Sequence, residues 1–471
     1  MTKAKVECKL RVRPTFAFFC HSRRESQTVR RNICITKVKN ILLKNLTLAI
    51  QIHQLLRFSA LIIVGIILTK SGVELATIGQ LEGLQYIGAA LSIFWVNGFV
   101  QGALPYYPSL ENEAKKLFLN GLYFVFLFFS TLIFILLYIF SNQISLFFSN
   151  ATLPYLSLFA VYLLLYLPSN LLEYIYLLKE KSQALLVSSG LTFLAICGSC
   201  FAFFYGEKNL AYLLYVWIAI AFFRHLFLLF ELKNVLDFSF DKKIMSSYLV
   251  LSLPLLAYAF VGQYAINFDA WLVNFHYKGD AEKFTIFRYG SRELPFFLAL
   301  ATGLSNSMTV KIAAETPNIL SILKEKTARL MHLCFPLAML LLASSNYWFC
   351  LVFSRSFEAS IVIFDVFILL IISRLLFPQI ILLAKKESKS IFIISIIELL
   401  VNAILSIVLI QKFGLAGVAF GTFIAFLLEK ILLAFWLWKK YNIRFETYTP
   451  VKYWLFYSLL IIVIFMGKYF L

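Results

Sequence analysis

Thirteen stretches of about 20 mostly apolar residues follow one another along this chain, and they decide what it can fold into. A helix rises 1.5 Å per residue, so about 20 apolar residues cross the roughly 30 Å of hydrocarbon in a bilayer. The runs lie near 47–69, 79–103, 117–140, 152–177, 183–205 and 208–232, then near 246–275, 285–310, 328–353, 359–384, 389–411 and 414–438, with a last one near 452–470. A membrane barrel would instead alternate apolar and polar residues over about ten positions. Composition agrees: 61% hydrophobic and 14% charged residues leave 471 residues too little polar surface to coat a water-soluble globule. The expected fold is all-α, a polytopic membrane helix bundle of 12–14 transmembrane helices.

Lysine and arginine orient the bundle. Loops after even-numbered runs carry eighteen of them, Lys115, Lys116, Lys385 and Lys440 included, whereas loops after odd-numbered runs carry six, such as Lys70, Lys208 and Lys278. The excess of basic residues on cytoplasmic loops places the N-terminus and the even loops in the cytoplasm, with the chain multi-pass in the inner membrane. The net charge of +19 is then a topology and headgroup signal, and no pattern points to nucleic acid as a partner; membrane lipids are the expected surroundings. Residues 1–45 form a basic segment without sustained periodicity, read as a disordered cytoplasmic arm. Seven scattered cysteines give no disulfide framework. Cys197 and Cys200 form a C-x-x-C with no further ligand nearby, so no metal site is expected.

Six runs and then six more, each half entering from the cytoplasm, is the arithmetic of a parallel repeat. The halves are 46–232 (N-lobe) and 246–438 (C-lobe), two pseudo-symmetric six-helix lobes, with 452–471 as an additional hydrophobic segment. Thr77 and Ile78 can be laid on Thr285 and Ile286 at an offset of 208 residues.

LSLPLLAYAFVGQYAINFDAWLV, with Pro254 early and Asp269 late, is followed by FRYGSRELPFFLALATGLSNSM. Together they resemble the second-half signature of the polysaccharide and O-antigen flippases, within the multidrug/oligosaccharidyl-lipid/polysaccharide (MOP) exporter superfamily. KFGLAGVAFGTFIAFLLEK, through Phe413, Gly414, Gly417 and Ala419, and the glycine-dotted GQLEGLQYIGAALSIFWVNGF extend the resemblance over residues 46–440. It implies a flippase that moves a lipid-linked oligosaccharide, a polysaccharide repeat unit, across the membrane by alternating access. A lipid-linked glycan substrate and the polysaccharide polymerase and ligase machinery are the partners it implies. It implies no enzyme activity and no cofactor.

A charge near the middle of a membrane helix costs about 2.5–3.5 kcal/mol on insertion scales, so those retained usually face a watery cavity or a partner. The candidates are Arg57, Arg224, Arg288, Arg292, Arg374 and Lys430, with Glu82, Glu173, Asp269, Glu293, Asp365, Glu398 and Glu429. Glu82 falls near an interface, and Glu429 with Lys430 close enough to one to snorkel. Forked guanidinium groups suit a pyrophosphate, so Arg57, Arg288, Arg292, Arg374 and Asp269 are the expected substrate-binding residues. Arg288 and Arg292 should stack at i and i+4 on one helix face, with Asp269 at similar depth, as part of the site or as a plain ion pair. Asp269, Glu293 and Asp365 are the candidate coupling carboxylates. Tyr264, Trp271, Tyr289 and Trp95 can stack on sugar rings. Two other readings stay open: a multidrug or cation antiporter of the same superfamily, and a membrane glycosyltransferase or polysaccharide polymerase.

Overall fold

A computed structural model describes residues 46–237, 241–313, 317–385 and 387–470, all helix and connecting turns with no strand among them. The basic segment 1–45 lies outside the described residues. The first half holds α1 (Leu46–Lys70), α2 (Leu75–Tyr106), α3 (Asn112–Ile139), α4 (Ser141–Ser149), α5 (Leu156–Ser169), α6 (Leu171–Leu178), α7 (Ser182–Tyr205) and α8 (Leu210–Leu232). The second holds α9 (Lys242–His276), α10 (Ala281–Gly290), α11 (Pro295–Ala313), α12 (Ile319–Val352), α13 (Ser360–Leu369), α14 (Ile371–Arg374), α15 (Pro378–Ala384), α16 (Ser388–Tyr441) and α17 (Phe445–Tyr448). The last helix is α18 (Val451–Phe470).

Among the described residues ten helices are long and apolar enough to cross a membrane, and eleven if the bent pair Ser360–Arg374 and Pro378–Ala384 counts as one. That is fewer than thirteen apolar runs, for two local reasons. The run at 285–310 is interrupted: α10 stops at Gly290 and α11 restarts at Pro295, because proline disfavours helical backbone at the residue before it and suits the first helical position. The runs at 389–411 and 414–438 are merged in α16, where Gly414 (φ 57°, ψ −138°) takes a backbone conformation open to glycine alone. The chain doubles back there. A Cβ on Gly417 would collide with the Leu409 carbonyl and one on Gly421 with the Ser406 hydroxyl, so the two halves of α16 lie against each other as a hairpin. Glu387 ties its ends together, accepting from the Tyr441 hydroxyl at 2.6 Å and from Lys440.

The bundle is all-α and polytopic, with two lobes built on separate apolar cores. One core gathers Trp95, Phe126, Phe159 and Trp217 from α2, α3, α5 and α8. Another gathers Phe287, Phe335, Phe364 and Val418 from α10, α12, α13 and α16. The seam between lobes runs where α2 meets α9 and α10. There the Tyr248 hydroxyl donates to the Phe99 carbonyl at 2.6 Å, and the Thr285 hydroxyl to the Leu75 carbonyl at 3.1 Å. Gly79 permits this approach, since a Cβ would run into the Ala281 carbonyl of α10.

Turns expected on one side of the membrane do gather at one end. Lys208 Nζ donates to the Ser71 carbonyl at 2.6 Å, and Gly279 abuts Asn150. At the other end Lys179 and Lys181 share Glu231, and the Asn120 amide donates to the Asp237 carbonyl at 2.7 Å. Helix α18 docks on the second lobe, with the Trp454 indole N–H on the Ile372 carbonyl at 2.9 Å and Lys468 Nζ 2.6 Å from Asp365.

Candidate functional site: a charged cleft between the lobes

Helix α10 begins on Asp280, whose carboxylate accepts from the backbone N–H groups of Glu282 and Lys283 at 2.9 and 3.1 Å. Ten residues later it ends, leaving Arg288 in its last turn and Arg292 and Glu293 in the break before Pro295. The break sends these two side chains in opposite directions. Arg292 turns to the first lobe, pairs with Glu82 of α2 and stacks on the Tyr289 ring at 4.0 Å. Arg288 Nε lies 3.5 Å from the other oxygen of Glu82, an ion pair without hydrogen-bond geometry. Glu293 turns to the second lobe and takes Arg374 in a fork, Nε to Oε2 at 3.0 Å beside a second bond from Nη2. Arg374 closes α14 and lies over the Phe426 ring at 4.5 Å.

Two cavities flank this charged strip. On the second-lobe side a cavity of about 500 Å³ is lined by Asp269, Arg288, Glu293, Arg374, Glu398 and Glu429, among others. On the first-lobe side one of about 280 Å³ is lined by Arg57, Tyr166, Trp217, Arg224 and Arg288. Arg288 borders both. Behind the smaller cavity, Arg224 donates to Glu173 at 2.9 Å and His53 meets the Ser189 hydroxyl at 2.7 Å.

The sequence expectations divide accordingly. Arg57, Arg288 and Arg374 all reach the cleft, from α1, α10 and α14. Arg292 does not stack on Arg288 along one helix face, because the helix has ended; the two meet at Glu82 instead. Asp269 is not paired with either arginine. Its carboxylate accepts from Asn402 at 3.2 Å, from Ser406 at 3.4 Å and from Thr422, so it bridges both halves of the α16 hairpin. No base is paired with it among the described residues. Asp365 stands away from both cavities, fully buried, with Lys468 and Tyr469 of α18 as partners.

Glu82, expected near an interface, is instead only 4% exposed at the lobe seam. The available signal is Gly79, one turn before it, which marks a face where α10 comes close. Glu429 and Lys430 do not snorkel; both are buried and paired at 2.6 Å. None of Trp95, Tyr264, Trp271 and Tyr289 lines either cavity. Trp95 packs on Phe126 and Phe129, Tyr289 under Phe353 and Phe357. The aromatic rings that do face the cleft include Tyr162, Tyr166 and Trp217 on one side and Phe367, Phe392 and Phe426 on the other.

Solved structures share this arrangement of helices. The lipid II flippase MurJ, in an inward closed conformation, superposes with a TM-score of 0.67 at 19% identity, over 89% of this chain and 92% of that one. The chain has the fold of the MOP-superfamily transporters. An inward-facing multidrug-resistance MATE transporter of that superfamily matches at 0.58 and 15% identity, covering 88% and 96% of the two chains. A MOP-superfamily transporter from Pyrococcus furiosus matches at 0.55 and 15% identity, covering 84% and 96%. No family model and no curated protein sequence matches the chain. At such identities the likeness is one of fold, and the chemistry of the cleft is that of the chain's own residues.

Proposed function

We propose that this chain is a flippase that carries a lipid-linked oligosaccharide, a polysaccharide repeat unit, across the cytoplasmic membrane by alternating access. The observation that carries the reading is Arg288, a guanidinium on the wall of both cavities, with Arg57 on one side of it and Arg374 on the other. A pyrophosphate offers several acceptor oxygens to such forks, and the lipid tail can stay in hydrocarbon while the headgroup passes. Glu82 and Glu293 hold the guanidiniums in place until the diphosphate displaces them. A fold shared with a lipid II flippase supports the same cargo class. The halves 46–232 and 246–438 are the rocking lobes, the basic loops face the cytoplasm, and polymerase and ligase machinery takes up the product. Asp269, a buried carboxylate among hydroxyl and amide groups, is the coupling group. Asp365 is assigned instead to holding α18 on α13.

A second reading, an antiporter of organic cations, is favoured by the carboxylates Asp269, Glu398 and Glu429 on the larger cavity. Arg57→Ala and Arg374→Ala, produced in cells depleted of their own flippase, separate the two. The expected outcome is lipid-linked glycan trapped on the cytoplasmic leaflet at normal abundance of the inserted protein. If both variants keep transport, the cationic-cleft reading fails; efflux of organic cations by the unaltered chain would establish the antiporter instead.

A further inference from the structure

Among the carboxylates that line the 500 Å³ cavity, one has neither a base nor a hydrogen-bond donor beside it among the described residues. Glu293 is held by Arg374 and Glu429 by Lys430, while Asp269 is wrapped by Asn402, Ser406 and Thr422. Glu398, on the first half of the α16 hairpin, is only 6% exposed, lines the cavity, and has no hydrogen-bond or ion-pair partner among the described residues. An ionised carboxylate taken out of water costs several kcal/mol unless something positive meets it. A proton can meet that cost while the cavity is empty, and the place of Glu398 on the wall leaves it open to a cation arriving through the cavity.

The surroundings favour one kind of cation. A bare metal ion seeks several oxygen ligands, and the oxygen-rich spot in this lobe is the shell of Asp269. The same cavity that Glu398 faces carries the ring of Phe392 and that of Phe426, the latter already stacked by Arg374, and a carboxylate beside aromatic rings suits an organic cation whose charge meets the carboxylate and whose body meets a ring. We propose that Glu398 receives an ammonium group borne by the transported glycan, so that the cleft selects a zwitterionic cargo, diphosphate at Arg288 and free amine at Glu398. This rests on the flippase reading for the diphosphate end and on Glu398 alone for the amine end.

Four probes keep the two apart: geranyl-diphospho-glucosamine with its N-acetyl twin, and octyl glucosaminide with its N-acetyl twin, titrated onto the full chain in lipid nanodiscs. The expected result is an amine preference of about tenfold or more in both pairs, falling to within about threefold in Glu398→Gln and largely kept in Glu398→Asp. Equal affinity for the twins in the unaltered chain, or a preference that survives Glu398→Gln, overturns the inference while leaving the flippase reading intact. Amine preference in the octyl pair with no binding of either diphosphate probe keeps the ammonium site and removes the flippase reading. Should Glu398→Gln fail to insert, competition on the unaltered chain decides: methylammonium, and not sodium at equal concentration, is expected to displace octyl glucosaminide. Displacement by sodium alone would overturn the ammonium assignment.

Discussion

Glu82 is one carboxylate shared by two guanidiniums across the lobe seam, and its removal leaves both Arg288 and Arg292 without a counter-charge. Breaking a buried ion pair from one side costs about 3–5 kcal/mol, and because the arginine side chains keep 28–30% exposure the lower end applies. Glu82→Gln should therefore lower the midpoint of thermal unfolding in detergent by several degrees, and Arg288→Gln in the same chain should restore part of it; additive losses would show that the pair does not couple. Asp269 calls for a different substitution. Asp269→Asn keeps a side chain of the same shape that can still hydrogen-bond Asn402 and Thr422, so insertion should stay near normal while transport in vesicles loses its response to an imposed ion gradient. Asp269→Leu, which strands those donors, should lower abundance as well. The charges themselves were legible in the sequence, because each is costly in hydrocarbon and stands out against apolar neighbours. Their partners were not: Asp269 and Arg288 line the same cavity, yet position along a helix says nothing about which way that helix is rotated.

Among the elements, the α16 hairpin is the most local in origin, since Gly414 alone turns the chain. Its φ of 57° with ψ of −138° lies outside the left-handed helical region that asparagine tolerates, so Gly414→Asn should be no milder than Gly414→Ala. Each is expected to cost about 1–3 kcal/mol, read as a lower unfolding midpoint and reduced protection of 405–420 from hydrogen exchange. A milder asparagine would mean that the turn relaxes into another conformation. The turn between 411 and 414 could be read from sequence because Lys412 and Gly414 interrupt an apolar run. The break before Pro295 could not be read with the same ease, as membrane helices often carry proline without stopping. What ends α10 is proline together with the two divergent partners, Glu82 and Arg374, that the charges on either side of the gap reach.

For the whole molecule, the two ends of the bundle are distinct surfaces, one gathering Ser71, Asn150, Lys208 and Gly279, the other Lys179, Lys181, Glu231 and Asp237. With eighteen basic residues on loops of one set and six on the other, residues 274–282 and 355–358 should face outside and 385–389 the cytoplasm. Lys278→Cys and Lys385→Cys, each in a chain free of native cysteines, test this with an impermeant maleimide applied to intact cells: labelling at 278 is expected, and labelling at 385 in its place inverts the topology. All-helical architecture and the number of apolar runs followed from the sequence because hydrocarbon thickness sets the length of a crossing. The seam did not: glycines four apart on α2, Gly79 with Gly83 and Gly98 with Gly102, mark where another segment can come close, and Gly98 and Gly102 do meet Leu256 and Ser252 of α9, but such a spacing does not name the partner helix.

Glu82 also bears on the half of the transport cycle in which nothing is carried. An exporter must reset after each delivery, and a cleft lined with naked positive charge would have to drag an anion back or stall in its shut intermediate. With an internal carboxylate already seated between Arg288 and Arg292, the exporter proposed above would carry its own stand-in for the anionic cargo when empty, so its homeward leg would need no second anion, whatever ion Asp269 takes up.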